Sequence, residues 1–159
     1  MSTKVELVPH GDRAILITRT CTAPRALVFD AMSKAEMVSQ WLHGPSGWTM
    51  STCEMDLRMG GTYRWAWTNA DGRVMGMGGT VLEVDPPSHL KTTEQFDDAW
   101  YEGEATNTIT LTEENGVTLM SLVVEYESTK ARDGVLAGPM ASGLDASYDH
   151  LDNLLSTQH

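Results

Sequence analysis

Within residues 53–67, CEMDLRMGGTYRWAW, three large rings stand at alternate positions, Tyr63, Trp65 and Trp67. Residues two apart on an extended strand share one face, so the three rings project together while Thr62, Arg64 and Ala66 take the other side. A helix would scatter them around its circumference. A strand carrying this much apolar area on one face must be covered, either by a packed helix or by a bound molecule. The turn Asp56-Leu57-Arg58-Met59-Gly60-Gly61 precedes it, so a second strand is expected ahead of that turn.

The rest of the chain is organised around that face. Strands are expected over 13–20, 48–54, 61–67, 73–84, 90–96, 104–112 and 117–126, because alternating apolar runs are separated there by Gly, Pro, Asn and Asp. Asp71-Gly72 and Asn115-Gly116 are the clearest hairpin signals. Connections this short imply an antiparallel meander. Two short helices are expected over 25–32 and 34–41, the first entered at Pro24 and the second capped by Ser33 with Glu36. Over 129–157 the apolar period changes to three and four, which reads as one amphipathic helix with a break near Gly138-Pro139. Residues 1–12 read as an N-terminal extension and 13–157 as a single domain.

Composition narrows the partners. Eleven basic residues against 22 acidic ones give a formal charge of −11. A field of that sign repels nucleic acid and anionic membranes and favours neutral or cationic partners. Cys21 and Cys53 fall in predicted strands, so two buried thiols in a reducing compartment are expected. No stretch approaches the roughly 20 apolar residues of a membrane span, and no apolar run follows a basic start. A cytoplasmic protein without membrane insertion is the expectation. His10, His89, His150 and His159 lack ligand spacing, so no metal is expected.

Several motifs occur together with this element order. Ala23-Pro24-Arg25 opens the first helix, Trp41 with Gly44-Pro45 ends the second, and Cys53-Glu54-Met55-Asp56-Leu57-Arg58 runs into Gly60-Gly61. Residues 79–83 precede Pro86-Pro87, Glu94 precedes Phe96-Asp97, and residues 108–112 and 128–133 complete the set. With these motifs the β-α-α-β6-α chain resembles the helix-grip (START/Bet v 1-like) fold of the START-like (SRPBCC) superfamily. Within it, the chain is similar to the family related to the C-terminal domain of the activator of Hsp90 ATPase. Met59 stands where that family often has Pro, and Leu42-His43 replaces part of a Trp-Trp-Gly-Pro motif. The resemblance implies an α+β fold, a curved antiparallel sheet around a long C-terminal helix, and a cavity between them suited to a small hydrophobic molecule. No phosphate-cradling Gly-rich helix entrance and no nucleophile motif is visible, so no cofactor is expected.

The wall expected for this cavity comprises Trp48, Met50, Tyr63, Trp65, Trp67, Met75, Met77, Trp100 and Tyr126, faced by Met140, Leu144 and Tyr148 from the last helix. Rings supply area and Met adapts its shape, which suits an apolar or aromatic ligand. The run Met75-Gly76-Met77-Gly78-Gly79 leaves one sheet face short of side chains. Arg58 either clamps its turn or orients a polar ligand head, and His43 is a second polar contact. An inward carboxylate among Glu54, Glu83 and Glu94 would serve as an acid or base, so His43 and Glu54 are the candidates for catalysis. Three readings follow. The first is a binder of a small hydrophobic or aromatic molecule beneath a hinged lid over 134–143. The second is a cyclase, dehydratase or hydrolase, and the third a chaperone-associated module. A homodimer through an exposed sheet edge is compatible with each.

Overall fold

The computed structural model of the chain describes residues 5–42, 47–97, 103–138 and 140–157, with the side chains of all but 140–143. Short polar turns fold the middle of the chain back on itself into β3 (Trp48–Met55), β4 (Thr62–Asn69), β5 (Val74–Asp85), β6 (His89–Phe96), β7 (Ala105–Glu114) and β8 (Val117–Glu125). Asn115 and Gly116 take φ of 54° and 78°, the two left-handed positions that a two-residue hairpin requires, and set Glu114 opposite Val117. At the β3–β4 turn Gly61 is needed for closeness. A Cβ there would lie 2.1 Å from the Asp56 carbonyl oxygen.

Two further strands complete an eight-stranded sheet in the order β1-β2-β8-β7-β6-β5-β4-β3, antiparallel throughout. The strand β2 (Ala14–Cys21) pairs with β8, and β1 (Glu6–His10) adds the edge beyond it. That edge strand lies within residues 1–12, expected only as an extension. It contains Pro9, which argues against an interior strand but is tolerated at an edge, where one side of the backbone needs no ladder partner. Breaks in register between Met50 and Thr52 and between Val81 and Glu83 mark bulges, which bend the strands and curve the sheet.

The helices α1 (Arg25–Ser33) and α2 (Ala35–Trp41) carry the chain from β2 to the opposite edge at β3. Ser33 ends the first of these and does not cap the second: its hydroxyl donates to the Phe29 carbonyl at 2.6 Å, and Lys34 occupies the cap of α2. The C-terminal segment forms two helices, α3 (Thr129–Leu136) and α4 (Met140–Ser156), where one interrupted helix was expected. Pro139 lies outside the described residues. No helix among the described residues is long and apolar enough to cross a membrane.

One buried ion pair seats α4 on the sheet. Arg19 projects from the inner face of β2 with its side chain 1% exposed and donates from both terminal nitrogens to Asp152, at 2.9 and 2.8 Å. Burial works against its charge, but the Asp152 carboxylate outweighs this and the guanidinium is held above its ordinary value. The guanidinium also lies 5.3 Å from the centre of the Tyr148 ring. Around it Leu151, Leu154 and Leu155 pack into a cluster with Val28, Met32, Trp41 and Met120. Removing Asp152 would leave a buried cation unpaired. Asp152→Ala is therefore expected to cost about 3 kcal/mol in urea unfolding, and Asp149→Ala, whose exposed carboxylate stands 3.8 Å from Arg19, less than about 0.5 kcal/mol. The double variant Arg19→Met/Asp152→Ala should regain most of the loss, and equal costs at the two aspartates would place the anchor of α4 elsewhere.

Candidate functional site

Period two along the central strands sends one set of side chains beneath α3 and α4, and they do not fill the space. A cavity of about 610 Å³ remains between the sheet and the helices. Tyr63, Trp65 and Trp67 line it from β4, and Met75 and Met77, paired opposite Trp67 and Trp65, line it from β5. Leu144, Ser147 and Tyr148 of α4 close the facing side, with Trp41 stacked on Tyr148 at 5.6 Å between ring centres. The rings hold one another in place: Tyr63 lies 4.8 Å from Trp65, and Trp65 meets Trp67 edge-on at 6.3 Å. Indole donors fix two of them, with Trp41 Nε1 donating to the Ala31 carbonyl and Trp67 Nε1 to the Leu42 carbonyl, each at 2.8 Å. Trp65 Nε1 is buried without a hydrogen-bond partner among the described residues.

The sheet floor is apolar except for one strip. Thr92 and Glu94 stand two apart on β6, Asn107 faces Thr92 across the β6–β7 pair, and Asn107 Nδ2 donates to Glu94 Oε1 at 3.4 Å. Tyr63 reaches toward the strip across β5, donating its hydroxyl to the Thr93 carbonyl on β6 at 2.6 Å. Its partner on β5 is Gly79, where a Cβ would fall 1.9 Å from that carbonyl oxygen, so only glycine lets the Thr93 backbone come this close. Burial first, and then the charge of Glu94, pushes the Tyr63 and Tyr126 phenols up. Burial does the same to Tyr148, with Arg19 working against it. Among the described lining residues, Glu94 is the charged one and none is Lys, Arg or His.

Residues 22–156 match the family described as activator of Hsp90 ATPase homolog 1-like protein. The chain belongs to this family. Similar crystal structures include a protein from Rhodobacter sphaeroides, 29% identical, covering 97% of this chain and 99% of its own with a TM-score of 0.91. Another, from Chromobacterium violaceum, is 28% identical over 90% of this chain and 96% of its own, with a TM-score of 0.75. The AHSA1 protein of Silicibacter pomeroyi, 20% identical with a TM-score of 0.72 over 92% of this chain and 99% of its own, shares the fold. No curated protein matches the chain. The family resemblance drawn from the motifs and the α+β helix-grip fold are both borne out.

In this AHSA1-like chain the structure brings Tyr63, Trp65, Trp67, Met75, Met77, Tyr126, Leu144 and Tyr148 to the cavity wall. Other sequence candidates lie elsewhere. Trp48 and Met50, on the bulged edge strand β3, pack against the Tyr63, Trp67 and Met77 cluster and do not line the cavity. Arg58 does not line the cavity: it is exposed in its turn and paired with Asp56 at 3.0 Å. Glu54 is exposed on the outer face opposite Arg64, because it alternates with the inward Met55, so it is no acid or base for the cavity. His43 and Trp100 lie outside the described residues, as does the Met140 side chain. The glycines of β5 do not open the cavity as expected. Gly76 and Gly78 face the outer side, where the Arg64 side chain lies over them and forms a two-pronged pair with Asp97.

Of the strand carboxylates, Glu94 is the inward one. It shares one strand face with Leu90, Thr92 and Phe96, a period-two series that groups these four residues and leaves open which face is covered. Asn107 carried no signal, because nothing local told which face of β7 is covered. The three raised phenols generate a pH prediction. A raised folded-state pKa gives stability that is present below the unfolded value of about 10 and lost as pH rises beyond it, since the unfolded chain ionises first. Unfolding free energy should therefore fall as pH climbs through about 10, and phenolate absorbance should show Tyr63, Tyr126 and Tyr148 still neutral in the folded chain there. Ionisation of all tyrosines at their ordinary value without unfolding would remove the buried phenols from this account.

Proposed function

We propose that this protein binds a small hydrophobic or aromatic molecule in the cavity between its sheet and α4. The observation that carries the reading is a void of about 610 Å³ walled by Trp, Tyr, Met and Leu side chains. Elsewhere the core is closed, with Ile15, Ile17, Leu111 and Leu151 fully buried. Interiors pack densely with few voids larger than a water molecule, and the volume falls in the roughly 300–1,000 Å³ range of ligand pockets. The fold itself commonly binds hydrophobic ligands. Gly134, in the last turn of α3, and Gly138, just beyond it, line the cavity, which supports a lid that opens there. Glu94 inside the cavity also meets the geometric need of an acid or base, so chemical change of the bound molecule is the second reading.

Native mass spectrometry of the protein purified from its own host, followed by solvent extraction, tests the binding reading. A co-purifying apolar molecule at one per chain is expected, and its mass before and after incubation separates binding from turnover. The wall residue Leu122 gives a sharper check. Leu122→Trp places an indole in open space and should weaken binding of the neutral dye phenylnaphthylamine about tenfold or more, with thermal stability kept or raised. Leu119→Trp, on the same strand but facing outward, should leave binding unchanged. Dye binding equal in both variants would put the dye outside the cavity. For the lid, Gly134→Ala, which meets no neighbouring atom within 4 Å, should stabilise α3 by up to about 1 kcal/mol and slow dye release; unchanged release would exclude α3 as the gate.

A further inference from the structure

A purely apolar pocket would discriminate by size and shape alone. On its sheet side this one gathers Thr92, Glu94 and Asn107 into one polar strip at the meeting of β6 and β7, with Ser147 of α4 on the facing side. A carboxylate offers acceptor sites for about four lone pairs and donates nothing when ionised. Asn107 already supplies one donor to Glu94. Glu94 shares the cavity wall with the Tyr63 and Tyr126 side chains. No described lining residue is cationic, and the chain as a whole carries −11. Trp65 Nε1, also on the wall, has no acceptor among the described residues.

We infer that Thr92, Glu94 and Asn107 form the head-group site of the cavity, which takes an apolar molecule ending in a hydrogen-bond donor, a hydroxyl or a protonated amine, and excludes carboxylates. The inference rests on the binding reading above and adds the chemistry of the ligand. A donor presented to Glu94 makes a charge-assisted hydrogen bond, which is strengthened where water is absent. A ligand carboxylate brought to the same strip sets two like charges side by side in a weakly screened space, and one of them must take up a proton or stay out. A hydroxyl has a second advantage. Its oxygen accepts as well as donates, so it can also take a hydrogen from Asn107, whereas an ammonium has no acceptor to offer. The two donor heads are therefore separable by removing the charge and keeping the shape.

The test uses four molecules that share one apolar body: naphthylmethanol, naphthylmethylamine, naphthoate and methylnaphthalene. Binding is measured by calorimetry and by displacement of phenylnaphthylamine at neutral pH. The alcohol and the amine are expected to bind at least about tenfold tighter than naphthoate. In Glu94→Gln the amine should weaken about tenfold and naphthoate should gain, while the alcohol and methylnaphthalene change by less than about threefold. Naphthoate binding as tightly as naphthylmethanol to the native chain, with methylnaphthalene also bound, would overturn the head-group site and leave the binding reading standing. Failure of all four to bind or displace the dye would overturn both. The comparison among ligands in the native chain does not depend on the variant folding, and Thr92→Val offers a second perturbation of the strip, expected to weaken the alcohol more than methylnaphthalene.

Discussion

The bidentate pair between Arg19 and Asp152 is the constraint on which the arrangement of the molecule depends. A curved sheet with an apolar inner face and an amphipathic helix can pack in many registers, since apolar contact is non-directional. A buried guanidinium accepts few of them. It must meet a carboxylate in the right orientation, or its desolvation goes uncompensated. With Arg19 1% exposed and both terminal nitrogens engaged, the C-terminal turns of α4 are fixed in place over β2 and its neighbours. Leu151, Leu154 and Leu155 then close the core there.

That anchor also defines where the core is not closed. Tyr148 stands at the boundary, with Arg19 over its ring, Trp41 stacked against it and the cavity beside it. One turn earlier, Leu144 faces open space over the sheet. The N-terminal half of α4 is held differently, by a hydrogen bond from the Val5 amide to Asp145 at 2.9 Å. Val5, the residue before the edge strand β1, thus ties α4 to that edge of the sheet. The two ends of α4 are held by different contacts, a buried ion pair at one and a single backbone-to-carboxylate hydrogen bond at the other.

The aromatic row of β4 depends in turn on the glycines of β5, in two ways on two faces. On the inner side, Gly79 lets the Thr93 carbonyl, which accepts from the Tyr63 phenol, lie close against β5. On the outer side, Gly76 and Gly78 let the Arg64 side chain lie flat against the sheet and meet Asp97, whose carboxyl that hydrogen bond holds below its usual range. Small residues on β5 therefore allow large ones on β4 to lie across it. Cross-strand contact of this kind stabilises a sheet pair by pair.

The sequence alone determined the strands, the hairpins and the short helices after β2, because turn chemistry and period-two alternation act between residues a few positions apart. It also carried the family motifs and eight of the cavity residues, from Tyr63 to Tyr148, since large rings and thioethers on one strand face announce a covered surface. Only the tertiary structure decided the rest. The edge strand β1 exists because β2 offers it a ladder, which outweighs the weak strand character of a segment containing Pro9. Arg19 looked like any polar residue in a strand until Asp152, 133 residues away, met it. Glu94 and Glu54 are both strand carboxylates, and which one faced the cavity depended on which side of the curved sheet the helices covered. That choice is made by contacts far apart in the chain, whereas composition and local period are the same whichever face is buried.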